Sequence, residues 1–397
     1  MNREKKNKAS VILGSASLVI LIGSQYLNDI LNIYIGHDRG FFTPIIALAL
    51  VFGTTSILLN RRIKVNRIAG FLYLVLISAF ILTNILQSGK STLTLVDFIG
   101  MCLIPIFLGA FLIVDYEVVF RGCMILLVLA IPVFRQLFLK ANTGLNYDAV
   151  SMSTSYDILP ITVAGLVHFL YFSKESKIVD KIMHVVSFIF SLALIRMSYR
   201  GALLALVVSL VVAFYFQKKR NSLRNQVLVI TISVMIIVVL FNYQYVLQWV
   251  SEILNRFGVR IAFIDKSIYL LTHDTTGHGR LDIYEKAFQG FLSSPVWGNG
   301  MATFQYYTGY PFPHNFILEF LFDGGLILFL SLMYVFAVSF KRLFKRAWEP
   351  KRYRFALILM IGSIAITRGL ISAECWRIVL LWLFIGLALN NTKRMSI

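Results

Sequence analysis

Long apolar runs, separated by short polar or charged stretches, recur along the whole chain. They predict spans at about 10–27, 41–59, 68–86, 95–114, 118–138, 158–173, 182–198, 200–217, 227–248, 315–340, 355–371 and 373–390. Most of these runs reach the roughly 20 residues that a helix needs to cross about 30 Å of hydrocarbon. A membrane barrel would instead alternate apolar and polar residues in segments of roughly 10 residues. The expected fold is an all-α polytopic membrane protein with about 12 transmembrane helices, one integral membrane domain over residues 1–397. The first run follows MNREKKNK, and no small-residue cleavage site precedes Tyr26. It reads as an uncleaved first span.

Two stretches between spans break the pattern by their length. Residues 140–157 (KANTGLNYDAVSMSTSYD) are polar and rich in hydroxyls, and residues 251–313 form a much longer loop. Connections of this length usually carry function or are disordered. The longer loop predicts a helix from about Gly279 to Leu292. Leu281, Tyr284, Phe288 and Phe291 make an apolar stripe at helical spacing, and Arg280, Asp282, Glu285 and Lys286 occupy the other faces. Ser293-Ser294-Pro295 stops it. An amphipathic helix lying on the membrane domain is expected, and a lid that merely packs is the plain alternative. The chain has no internal repeat and no pair of Gly- or Pro-broken spans in matching halves, the mark of many transporters.

Composition agrees: 58% hydrophobic, 14% charged, mean hydropathy +0.76. Charge then sets orientation. With the N-terminus inside, the net +19 falls on the cytoplasmic side, as the positive-inside rule requires. Both termini are therefore expected in the cytoplasm and the long loop outside. The basic balance reflects topology rather than a nucleic-acid partner. Cys102, Cys123 and Cys375 lie in apolar runs without CxxC spacing, so they read as small buried hydrophobes. The cytoplasmic loops contain no GxxxxGK loop, GxGxxG turn or acidic metal cluster. An enzyme built this way would work on the outer face, with its energy stored in a substrate already in the membrane.

Ionisable groups at the outer ends of spans are the candidate site, because such groups are costly near hydrocarbon. Arg196 and Arg200 flank a tight turn in IRMSYRGALLALVV, and Arg200-Gly201 opens a helix. Arginine forks beside a helix N-terminus suit phosphate, although snorkelling to lipid headgroups also accounts for them. In YPFPHNFILEF, Pro313 sets His314 in the first turn of the next helix, with Asn315 to orient it or bind a hydroxyl and Glu319 and Asp323 one and two turns deeper. The helix dipole would keep that imidazole neutral and available as a base; an interfacial histidine bonded to a loop carbonyl is the plain reading. Trp297, Phe304, Tyr306, Tyr307 and Tyr310 offer flat faces for sugars or belong to the interfacial aromatic belt. Arg368, Glu374 and Arg377 share a turn, where the last two are spaced to pair. His273 and His278, with only Asp274 near them, make a weak metal site; no metal and no cofactor is expected.

Three segments in order, SYRGALLALVV from Ser198, GRLDIYEKAFQGFLSSPVWGNGMATF from Gly279 and PHNFILEFLFDGGLI from Pro313, resemble the O-antigen ligase/polymerase superfamily of bacterial envelope glycan assembly. They cover roughly the C-terminal half. The resemblance implies a nucleotide-independent membrane glycosyltransferase (GT-C-like) fold in the bacterial plasma membrane, with an extracytoplasmic site and metal-independent, inverting transfer. The implied donor is a glycan on undecaprenyl pyrophosphate, and the acceptor is a sugar hydroxyl of a lipid-linked repeat unit. Arg200 matches an arginine that holds the pyrophosphate, Arg280 an outer-loop arginine for substrate, and His314 the base. Arg196, Glu319, Trp297, Tyr310 and Arg377 enter only as substrate-binding candidates from this chain's own pattern. Membrane lipids, a flippase and a chain-length regulator are the implied neighbours. Polymerisation of capsule, exopolysaccharide or O-antigen repeats is preferred. Ligase-type transfer to another acceptor is the alternative, and a lipid-linked oligosaccharide flippase is the alternative from a different class.

Overall fold

The computed structural model describes residues 3–35, 40–60, 66–132, 149–197, 200–217, 243–256, 280–346 and 352–390, with isolated positions between 256 and 280. All regular structure among the described residues is helical. In order come α1 (Arg3–Ile22), α2 (Ser24–Ile35), α3 (Phe42–Asn60) and α4 (Arg67–Leu86). Next are α5 (Leu95–Phe111), α6 (Tyr116–Leu126), α7 (Ala149–Phe172), α8 (Ile178–Met197) and α9 (Arg200–Tyr215). The last six are α10 (Tyr243–Arg256), α11 (Arg280–Ser293), α12 (Phe304–Thr308), α13 (Phe316–Lys345), α14 (Tyr353–Ile371) and α15 (Val379–Leu389).

Five of these helices are long and apolar enough to cross a membrane, six if the bent pair α1–α2 counts as one span. This is a multi-pass membrane architecture, but several expected spans have a different form. The run 95–114 contains a π-helical stretch, Phe98–Leu103. The run 118–138 gives α6 and then a 3₁₀ turn at Leu127–Ala130. The run 373–390 spends its first residues in a 3₁₀ turn at Cys375–Arg377, so α15 is only 11 residues long. Most of 227–248 lies outside the described residues. The polar stretch 140–157 is partly helical, because α7 begins at Ala149 and its hydroxyl-bearing turn is covered by neighbours: Ser155, Tyr156 and Asp157 are buried.

Interhelical contacts use small residues and hydroxyls, as expected where lipid removes the hydrophobic drive for helix association. Ser10 and Ser56 each donate to the other's main-chain carbonyl at 2.8 and 2.6 Å, joining α1 to α3. Every residue of α15 is buried. Its Gly386 lies against Gly109 of α5 so closely that a Cβ on Gly109 would stand 2.8 Å from the Leu387 nitrogen.

Two breaks interrupt the described helices, where the sequence shows no pair of Gly- or Pro-broken spans in matching halves. α1 and α2 meet at 71° around Gly23. α13 loses helical geometry at Gly324 (φ −134°, ψ 15°) and Gly325 (φ 57°, ψ −156°). A broken helix exposes main-chain groups that hydrocarbon cannot satisfy. Here the 295–300 segment fills the gap: Leu326 N donates to Pro295 O at 2.8 Å, Asn299 N to Phe322 O at 2.8 Å and Gly300 N to Asp323 O at 2.8 Å. The long loop is thereby built into the helix.

Candidate active site

The docked loop and the first half of α13 form one block that presents His314. Asn315 is the N-cap of α13, its side chain accepting from the Ile317 and Leu318 amides at 2.9 and 3.4 Å. His314 therefore precedes the helix instead of occupying its first turn, and Asn315 is committed to the cap and not to the imidazole. The reason is conformational: His314 has φ +57°, a left-handed backbone uncommon for a side chain with a Cβ and frequent at functional sites. Its ring lies 4.3 Å from that of Phe312. The buried Nδ1 has no hydrogen-bond partner among the described residues. Burial, and then the positive charge of Arg280, push the imidazole down to about 4. The cause is thus desolvation and a neighbouring guanidinium rather than the dipole expected from the sequence.

Arg280 opens α11. The buried face of this helix is Ile283 and Ala287, continued by Gly290, where a Cβ would overlap the Phe322 ring. This corrects the expected packing stripe. Leu281 is 67% and Phe288 49% exposed, because the bulky positions cannot come as close to α13 as the small ones. Across this helix Tyr310 donates its hydroxyl to Asp282 at 2.5 Å, which lowers the acid and raises the phenol, and Lys286 stands 4.7 Å over the Tyr310 ring. Trp297 is 71% exposed, available to lipid or sugar.

The buried acids brace the block. Glu319 accepts the Cys375 amide at 2.9 Å, and Asp323 accepts Trp376 Nε1 at 2.6 Å and the Ala302 amide at 3.0 Å. Glu319 is 1% exposed, so it ties α13 to the 372–378 turn and does not face a substrate. Arg377 pairs with Glu374 at 3.3 Å and donates to Thr92 O at 2.9 Å.

A second polar cluster meets this one. Arg196 lies in α8 and Arg200 opens α9, but both side chains lie outside the described residues. Gly201 is informative: a Cβ there would overlap the Tyr156 hydroxyl and stand 3.1 Å from Ser372 Oγ. Tyr156 and Ser372 are hydrogen-bonded to each other. Arg368 lies 4.8 Å over the Tyr156 ring and reaches Asp157 at 3.3 Å and Gln25 at 2.9 Å. Arg280 is within electrostatic reach of both Tyr156 and His314. The start of α9 at Gly201, Arg368, Arg280 and His314 therefore belong to one end of the bundle. Arg280 and His314 gather there with the start of α9, and Arg368 has a larger share than its place in a polar turn implies. His273 and His278 lie outside the described residues; among those described, no three His, Cys, Asp or Glu side chains gather as metal ligands.

No curated protein matches this chain. Residues 185–333 match the model of the O-antigen ligase family. That segment runs from the body of α8 through the start of α9 and α11 to His314 and the break in α13, and over these residues the chain is similar to the O-antigen ligase family, which supports a place in the O-antigen ligase/polymerase superfamily.

Proposed function

We propose that this protein polymerises lipid-linked repeat units of an envelope polysaccharide at the outer face of the bacterial plasma membrane. The observation that carries this reading is His314, a partly buried imidazole with an orphan Nδ1 on a left-handed backbone, set beside Arg280 and the cluster at Gly201. In this reading about twelve segments cross or enter the membrane in a GT-C-like arrangement, with both termini cytoplasmic. The donor is a glycan on undecaprenyl pyrophosphate. The acceptor hydroxyl gives its proton to His314 as its oxygen bonds to the anomeric carbon from the far face. The bond to the diphosphate breaks, and the lipid diphosphate leaves with the electron pair. Arg200, Arg280 and Arg368 stabilise its charge, so no metal is required and activity should survive EDTA.

An imidazole with a pKa of about 4 is a weak base at neutral pH. Diphosphate bound at Arg280 would cancel the positive field on the ring and raise its basicity only when the donor is present. The acid limb of kcat, which reports the loaded enzyme, should therefore lie at higher pH than that of kcat/KM, which reports the free one. Arg280→Gln should raise the kcat/KM limb yet leave it below the ordinary histidine value, since burial is the larger cause. Coincident limbs that ignore Arg280 would remove His314 from the chemistry.

Ligase-type transfer is a second reading, favoured by the matched O-antigen ligase model. The broken helices and the buried Asp323 also give a transport reading some structural basis. One experiment separates the three. Purified protein receives a lipid-diphosphate-linked repeat unit alone. A ladder of products supports the polymerase. Transfer only after a different acceptor is added means a ligase. Lipid-linked sugar crossing proteoliposomes without any transfer means a flippase.

A further inference from the structure

α2 carries an inward polar stripe. Gln25, Asn28, Asp29 and Asn32 recur at i, i+3, i+4 and i+7, so they share one face of the helix. The other side is fastened down: Tyr26 donates to Leu126 O at 2.8 Å and Tyr34 to Leu129 O at 3.0 Å. The polar face is held toward α7 and α14. Gln25 accepts from Arg368, and Asp29 is hydrogen-bonded to Asp157 and Asn28. Even so, Asn28 Oδ1, Asp29 Oδ2, Asn32 Oδ1 and Arg368 Nε are buried without a partner among the described residues. A buried polar atom left unpaired costs roughly 1–3 kcal/mol, and four in one cluster call for a ligand that completes them.

We infer that this face of α2 is a sugar-binding subsite, and that it holds the sugar residue attached directly to the donor's diphosphate. The inference rests on the glycosyl-transfer reading above. Three orphan acceptors within about one helical turn, beside one orphan guanidinium donor, ask for groups that both donate and accept. Vicinal sugar hydroxyls do both; an alkyl tail does neither. Placement identifies which sugar. Arg368 ties the α2 face to Tyr156, and Tyr156 touches Gly201, next to the proposed diphosphate arginine Arg200. The sugar nearest the diphosphate is the one within reach. Asn28, Asp29 and Asn32 are then determinants of donor specificity.

The test separates donor from acceptor chemically, using the full chain in detergent. The donor is the lipid-diphosphate repeat unit with its accepting hydroxyl methylated, and the acceptor is the same repeat unit on lipid monophosphate, which cannot donate. Asn28→Ala, Asn32→Ala and Asp29→Asn should each raise the donor KM roughly tenfold, the cost of one unmet buried hydrogen bond. The acceptor KM and the melting temperature should stay near wild type. Calorimetric titration with the methylated donor should weaken in parallel. Unchanged donor KM and unchanged titration in all three variants would assign the orphan atoms to ordered water and overturn the subsite. If wild type transfers nothing yet its donor titration weakens in the variants, the subsite stands and the polymerase reading falls. A fall in melting temperature with equal losses for both substrates would also overturn it, by making the stripe a packing feature.

Discussion

Replacing His314 with alanine is expected to lower glycan transfer about 10²–10⁴-fold, the usual worth of a positioned general base, with little loss of folded protein. Geometry makes this prediction sharper than the usual alanine test. His314 holds φ +57°, a backbone that costs a residue with a Cβ of order 1–3 kcal/mol and glycine very little. His314→Gly should therefore be at least as stable as wild type, and as inactive as His314→Ala. A structural histidine would behave otherwise, since its loss would lower stability without selectively removing transfer. Thermal unfolding and the product ladder, run side by side on both variants, decide the matter. A glycine variant that polymerises within a few-fold of wild type would eliminate the imidazole as base.

Much of this site was legible in the sequence because its signals are local. PFPHN announces a constrained entry to a helix, RGALLALVV a charged turn opening an apolar one, and GRLDIYEKAF a helix with Arg280 at its start. What the sequence hid depends on pairing between distant segments. Periodicity marks Leu281, Tyr284, Phe288 and Phe291 as the apolar stripe of α11. The structure buries Ile283 and Ala287 instead and sets Gly290 against Phe322, which needs a small residue opposite it. The Asp-Gly-Gly of α13 marks a weak point, yet the break is tolerable only because the 295–300 segment supplies its hydrogen bonds. The QxxNDxxN pattern of α2 falls at and beyond the end of the first expected span, about 10–27, where nothing in the sequence gives it a partner. The 71° bend between α1 and α2 gives them one. Of the acids, Glu319 and Asp323 share a helical face that suggests a role at the substrate, whereas their partners at Cys375, Trp376 and Ala302 are distant in sequence and make them braces.

Gly325→Ala should be strongly damaging for a single-methyl change, costing about 4 kcal/mol or more and removing activity together with the fold of the block. Two effects add. At φ 57° and ψ −156° the backbone occupies a region open essentially only to glycine. A Cβ there would also stand 2.5 Å from the Val296 carbonyl and 2.7 Å from Pro295 O. Those are main-chain atoms, which cannot rotate aside as a side chain could. Pro295 O is also the acceptor for Leu326 N. Relieving the clash therefore means undocking the 295–300 segment, which leaves the broken turn of α13 unsatisfied in an apolar setting. Gly309→Ala serves as the control. It too has positive φ, at 76°, but nothing lies within 4 Å of its Cβ, so it should carry only the conformational cost of roughly 1 kcal/mol. Limited proteolysis of the 295–303 loop and the melting temperature report the difference. Equal small losses at both glycines would mean that the loop is not structurally coupled to the helix break. His314 would then owe its position to Pro313 and the Asn315 cap alone.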